Sequence, residues 1–215
     1  MENKKSLKDE IRSKIITEII SGNFSVDSVI TEKKLIEMFN VSKSPVREAL
    51  VELCNEKVLV SMPRYGYRIV QLDAKNIADA IELRQILELT ALERTIPQLN
   101  EDKLDILRKH NAEHDKQRIS TDVWTHWKYN NTFHLLLIGF TGNALMVDML
   151  EKTLGILSRA YAQYYWNRWG SLISSMDINA HSAILDCLER KDYKEATQKL
   201  KEDIRFMGEQ IGIRV

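Results

Sequence analysis

Lys43, Ser44 and Arg47 stand together in Val41–Leu53, which reads VSKSPVREALVEL. Pro45 suits the first position of a helix, where its missing N–H costs no bond, and Ser44 before it suits a cap. Val46, Ala49, Leu50 and Leu53 then recur at helical spacing and predict an inward face. A first turn with free amides, the hydroxyls of Ser42 and Ser44, a Lys and an Arg is an anion site of the kind a DNA-reading helix presents. A second set of residues has metal-ligating types. Asn130 and His134 are four apart and project from one helix face toward the same point. His181 lies among Ile178, Ile184 and Leu185, and Asp203 lies between Leu200 and Ile204, near an apolar stripe. From the residues alone, these histidines are explained more simply as core or surface side chains with ordinary partners than as ligands.

The elements that must position these residues are mostly helical. The 215 residues are 44% hydrophobic and 29% charged, with only three prolines and eight glycines, which predicts a soluble protein built from long helices. The net charge is zero, so no global basic field announces a nucleic-acid partner. Local excess does exist: Lys33–Arg47 holds four basic residues and one acid, and Lys57–Arg68 three basic residues and no acid. The N-terminal MENKKSLKDE is no signal peptide, and the longest apolar run, Leu135–Ile138, is far short of a membrane span. The chain is therefore expected in the cytoplasm, with Cys54 and Cys187 as buried, reduced thiols.

In chain order, Leu7, Ile11, Ile15, Ile16, Ile19 and Ile20 predict a first amphipathic helix. Thr31 caps a second, with Leu35, Ile36 and Phe39 inside, and Asn40-Val41 makes the turn into the opening segment. Three helices in this order form a helix-turn-helix. Val58–Met62 and Tyr67–Val70 predict two strands around Pro63-Arg64-Tyr65-Gly66, a wing in which Gly66 takes a positive φ and Arg64 and Tyr65 reach a DNA backbone or minor groove. Asp73–Asn76 is a joint. Beyond it the expected helices are Lys75–Ile96, with Ile77, Ala80, Ile81, Ile86, Leu87 and Leu89 inward; Asn100–Gln117, with Leu104, Leu107 and Ala112; one from Thr121-Asp122 to Gly139; one from Asn143 to Trp169-Gly170; Leu172–Arg190; and Tyr193–Gly212. The expected domains are residues 1–72, a winged helix-turn-helix of three helices and a two-stranded wing, and residues 73–215, an all-α antiparallel bundle of six helices.

The run LIEMFNVSKSPVREALVELCNEKVLVSMPRYGYRIV resembles the winged-helix domain of the GntR superfamily of bacterial transcription regulators. The resemblance implies DNA contact from Lys33, Ser42, Lys43, Ser44 and Arg47, and from the wing at Arg64 and Gly66. Lys43 stands where that family usually has Arg, which keeps a phosphate-binding charge and loses a fork able to grip guanine with two bonds.

ELRQILE (Glu82–Glu88), NNTFH (Asn130–His134), GNALM and HSAILDCLERKDYKEA (His181–Ala196) resemble the FCD, or FadR-type, C-terminal domain of the same superfamily. That resemblance implies a divalent transition metal (Zn, Ni, Mn or Fe) held by Asn130, His134, His181 and Asp203, helping to hold a small carboxylate effector. Asn130 stands where Asp is usual and Asp203 where the last His is usual, so an amide oxygen weakens the site and a carboxylate restores one charge. Arg84 is the candidate for the effector's carboxylate, although Glu88, four residues on, offers it an ion-pair partner instead. His110 and His114 lie in a highly charged helix and are expected at the surface. Tyr161, Tyr164, Tyr165, Trp166 and Trp169 are expected in the bundle core and interface.

These residues describe a transcription regulator that binds a palindromic operator as a homodimer, under control of a small organic acid bound in the bundle. The alternatives are a metal-sensing regulator without organic effector and a metal-dependent enzyme. The enzyme lacks an evident acid or base beside the four candidate ligands, and it needs no helix-turn-helix.

Overall fold

The computed structural model describes residues 6–116, 123–165 and 180–210. Contacts divide them into two compact units, one running to Leu72 and including the short helical segment that starts at Arg159, the other starting at Asp73.

The first unit begins with α1 (Leu7–Ile20), entered through a capping box in which Ser6 and Asp9 satisfy each other's backbone amides. Ile11, Ile15 and Ile19, four residues apart, are fully buried, while Leu7 stays half exposed. Thr31 caps α2 (Glu32–Phe39) by accepting from Lys34 N, and Asn40 ends it in the left-handed region at φ 51°. A short polar side chain tolerates that conformation, which makes the tight turn into α3 (Lys43–Asn55). The α3 face is the expected one: Val46, Ala49, Leu50 and Leu53 are buried. Its start is not. The cap is Ser42, and Pro45 is the third helical residue rather than the first. Any first-turn position tolerates proline, because none of those amides has an intrahelical partner.

The sheet has three strands in the order β1-β3-β2. β2 (Leu59–Met62) and β3 (Gly66–Ile69) form the expected hairpin, in register from Leu59↔Ile69 to Met62↔Gly66. β1 (Val29–Ile30) adds a strand on the other side of β3. Two residues are too few to show alternation, so this strand left no sequence signal. Gly66 sits at φ 129°, and a Cβ there would stand 2.5 Å from the Ile30 carbonyl oxygen. Glycine is thus required twice, by the turn and by the close approach of β1. Phe24, Ile30, Leu35, Val58, Leu59 and Ile69 close the core around the α1 and α3 faces.

The second unit is helical. A second capping box, Asp73 with Asn76, starts α4 (Ala74–Thr95), which ends in a 3-10 turn at Ile96–Gln98. It is followed by α5 (Glu101–Lys116), α6 (Val123–Gly139), α7 (Ala144–Tyr165), α8 (Ala180–Glu189) and α9 (Tyr193–Gln210). The expected helix ends at Thr121-Asp122, Trp169-Gly170, Leu172 and Gly212 lie outside the described residues. Along α4 the buried stripe is Ile77, Ala80, Ile81, Arg84, Glu88, Ala91, Leu92 and Thr95. Ile86, expected inside, is 57% exposed. The helical phase set by Ile77 and Ile81 reaches Arg84 and Glu88 seven residues later, so two charged residues take places that hydrophobicity alone assigned to Ile86, Leu87 and Leu89. α5 behaves likewise, burying Leu107, Asn111 and His114 and exposing Ala112. Cys187 is buried and Cys54 half-buried, both as free thiols. Among the described residues no helix is long and apolar enough to cross a membrane.

Candidate metal centre and nucleic-acid interface

In the first unit, the starts of α2 and α3 and the wing enclose an open cleft of about 620 Å³. Lys33, Lys43, Arg47, Arg64 and Gly66 all line it; Ser42 and Ser44 lie outside its lining, in the turn that opens α3. Arg64 occupies the hairpin turn at φ 71°, beside Tyr65, which is 75% exposed. The cations are not bare. Arg47 Nε donates to Glu32 Oε1 at 3.0 Å, and Lys43 Nζ lies 3.7 Å from Glu32 Oε2. Hydrogen bonding to Glu32 and its charge hold the Arg47 guanidinium above its ordinary pKa. Ser44 Oγ donates to Glu48 Oε1 at 3.0 Å, and Lys33 Nζ stands 3.9 Å from Glu37. Glu32 escaped the sequence reading because the charge count began one residue later, at Lys33.

In the second unit, α4, α6, α8 and α9 bring five ionisable side chains together. Arg84 Nε donates to Glu88 Oε1 at 2.6 Å, and Glu88 Oε2 accepts from His134 Nδ1 at 2.6 Å. His134 Nε2 lies 3.1 Å from Asp203 Oδ2, 3.2 Å from His181 Nε2 and 2.6 Å from Arg84 Nη2. His181 stacks on Phe133 with ring centroids 4.0 Å apart, which fixes its plane. Arg84, Glu88, His134 and His181 are all buried.

The charges follow from that burial. Burial pushes the Glu88 carboxyl up, but the Arg84 guanidinium and the His134 ring outweigh it and hold Glu88 below its usual range. Asp203 is likewise raised by burial and brought far below its usual range, chiefly by its hydrogen bond to His134 and by the charges of His134 and Arg84. Burial and Arg84 lower His134, while Glu88 and Asp203 prevail and raise it. His181 is pushed well below the ordinary histidine range, chiefly by burial, and so is neutral.

The donor set fits a divalent ion. With its Nδ1–H held by Glu88, His134 presents Nε2 as a ligand, the arrangement in which an outer carboxylate fixes a metal-binding imidazole. Three ligand atoms, from His134, His181 and Asp203, lie within 4.8 Å of one another. Ligands about 2.1 Å from a common ion stand roughly 3.0–3.4 Å apart; two of the three separations, 3.1 and 3.2 Å, fall in that range, and the third, between His181 and Asp203, lies within 4.8 Å. A single Nε2 cannot serve its three neighbours by itself. As a lone pair it accepts from Arg84 and faces the Asp203 carboxylate, a second acceptor; as an N–H it suits Asp203 and opposes Arg84.

Of the four expected ligands, the structure brings these three together. Asn130 lies one helical turn before His134, where its amide donates to Asn131 Oδ1 at 3.4 Å and makes no hydrogen bond to the other three. Arg84 is in the network rather than in an open pocket, taking the ion-pair alternative with Glu88. Glu88 was missed as a site residue, although its phase with Ile77, Ile81 and Arg84 was a readable signal.

The surface expectation for His110 and His114 is overturned. His114 is buried and stacks on Tyr129 at 5.2 Å, and His110 Nε2 bonds the Tyr129 carbonyl oxygen at 2.9 Å. The charges around them occupy the other faces of α5. Of the expected aromatic group, Tyr161 is buried in the core. The side chains of Tyr164 and Tyr165, and Trp166 and Trp169 altogether, lie outside the described residues.

Comparison with known proteins agrees with both units. Residues 7–69 match the gntR family of bacterial regulatory proteins, and residues 79–206 match the FCD domain. The chain is 29% identical over 181 residues, covering 84% of it and 80% of the relative, to the uncharacterized HTH-type transcriptional regulator YdhC of Bacillus subtilis (strain 168). It is 28% identical over 174 residues, 80% of each chain, to the Nta operon transcriptional regulator of Aminobacter aminovorans. Among solved structures, E. coli McbR/YncC shares the fold with a TM-score of 0.78 at 20% identity, over 96% of both chains. These relatives are regulators rather than enzymes. With its gntR-type winged helix-turn-helix and an FCD domain spanning more than half of its length, the chain belongs to the GntR family of transcriptional regulators, in the FadR-type FCD branch.

Proposed function

We propose that the chain is a metal-assisted, effector-responsive DNA-binding regulator acting in the cytoplasm. The observation that carries the effector half is the convergence of His134 Nε2, His181 Nε2 and Asp203 Oδ2 inside the second unit. Two imidazoles and a carboxylate suit Zn²⁺, Ni²⁺, Mn²⁺ or Fe²⁺, with Asn130, one turn away, as a further oxygen donor. The ion would leave positions for the carboxylate of a small organic acid. Arg84 would add a cation to that pocket, its Nε held by Glu88 and its Nη2 turned toward His134 and Asp203. In the first unit, the α3 N-terminus with Ser42, Lys43, Ser44 and Arg47 would enter the major groove, while Lys33, Arg64 and Gly66 meet the backbone. A homodimer would place two such units on a palindromic operator.

The test is the metal content of untagged protein by elemental mass spectrometry, beside a His134→Ala, His181→Ala variant purified in the same way. About one equivalent of transition metal, lost in the variant, is the expected result. No metal in either sample after incubation with Zn²⁺, Ni²⁺ and Mn²⁺ would refute the metal reading. Operator affinity that follows metal alone, unchanged by any small carboxylate, would make the ion itself the signal.

A further inference from the structure

Glu32 is the first residue of α2, outside the recognition helix, yet it touches both strong cations of that helix. It contacts Arg47 at 3.0 Å and Lys43 at 3.7 Å. Its side chain is 22% exposed against 61% for Arg47 and 64% for Lys43, so the acid is the more enclosed member and the cations are the exposed ones. The bond to Arg47 uses the Nε edge. Both Nη groups, the end of the fork that grips two acceptors in one plane, make no hydrogen bond among the described residues. Glu32, Arg47, Lys43, Arg64 and Gly66 line one cleft.

We infer that Glu32 is a specificity-determining residue: it aims the terminal fork of Arg47 and suppresses loose attachment of Arg47 and Lys43 to phosphate. The inference rests on the reading of α3 as the DNA-reading helix. Random duplex is held by phosphate contacts alone, and each phosphate neutralised adds about −0.9 to the slope of log affinity against log salt. A carboxylate beside both cations competes with phosphate for them and repels the backbone. At the cognate site the situation differs, because a base edge such as guanine O6 and N7 offers the fork two acceptors in a fixed plane. A guanidinium already held by its Nε loses less side-chain freedom in meeting them. Glu32 therefore lowers affinity for random DNA through its charge and sustains cognate affinity through its hold on Arg47 Nε. Lys43 has no planar fork, which concentrates the base-reading task on Arg47.

The test uses the full-length protein, a duplex enriched by the wild type from a randomised library, and a base-shuffled version of it. Glu32→Gln keeps an oxygen for Arg47 Nε and removes the charge. It is expected to bind the shuffled duplex about 3- to 10-fold more tightly with a salt slope steeper by about 1, and to bind the selected duplex within about twofold of wild type. Glu32→Ala, which also removes the brace, is expected to show the same gain on the shuffled duplex but a loss of affinity for the selected duplex, and that loss is expected to vanish in an Arg47→Ala background. Thermal melts confirm that each variant folds, as removal of an exposed ion pair allows. A specificity ratio within about twofold of wild type in both variants overturns the role of Glu32, as does equal weakening on both duplexes. A wild type that enriches no sequence overturns the DNA-reading assignment itself and the inference with it.

Discussion

Arg47 and Lys43 differ in what a carboxylate neighbour does to them. For Lys43, a point charge, Glu32 is a competitor; for Arg47 it is also a brace, because the bond leaves the end of the fork open. Arg47→Ala is expected to weaken binding to a selected operator about 10- to 100-fold, with an unchanged circular-dichroism spectrum, as fluorescence anisotropy would measure. Retained tight, sequence-selective binding would remove Arg47 from the readout. In the second unit, Glu88 is a partner of both Arg84 and His134. Glu88→Gln keeps an acceptor for His134 Nδ1 and is expected to lower metal affinity about 10- to 100-fold, by competition with a chromogenic chelator. These residues also mark where sequence reading ended. His134, His181 and Asp203 were found through the resemblance to the FCD domain, since their spacing alone did not separate ligands from core histidines. Glu32 lay outside the quoted motifs, and Glu88, although inside ELRQILE, entered only as a rival partner for Arg84; each matters through partners on another helix.

At the scale of elements, legibility followed periodicity. α3 repeats its apolar residues often enough to fix its buried face, and the wing glycine carried a turn signal. β1, two residues long, repeats nothing. Along α4 and α5 the period was readable and residue type misled: Arg84, Glu88 and His114 occupy the buried stripe, and Ile86 and Ala112 do not. Polar residues inside a helical phase are poor core candidates one at a time and good site candidates once partners on other helices are known. Two stability predictions belong here. Leu50→Ala, at a fully buried position of α3, is expected to cost about 2–5 kcal/mol. Gly66→Ala must displace the Ile30 carbonyl, and is expected to separate β1 from β3, seen as loss of amide protection at Ile30 in hydrogen exchange.

For the whole molecule, regulation is a question of linkage. An effector or metal alters operator affinity only by the difference in its own affinity for two arrangements of the chain, and a 100-fold change needs about 2.7 kcal/mol of coupling. The coupling is reciprocal, so metal affinity is expected to change by the same factor when the selected operator duplex is present, as titration with and without DNA would show. A zero net charge supplies no long-range attraction to DNA, so the proposed operator recognition rests on the local face at α2, α3 and the wing. The Glu32–Arg47 bond crosses from one helix of that face to the next, and this bears on protein engineering. A graft of α3 alone onto another winged helix would carry the fingertips without the brace that aims them. The transferable cassette is the continuous stretch from Thr31 to Leu53, so a designer moving operator preference between regulators should exchange both helices and the turn at Asn40 as one piece.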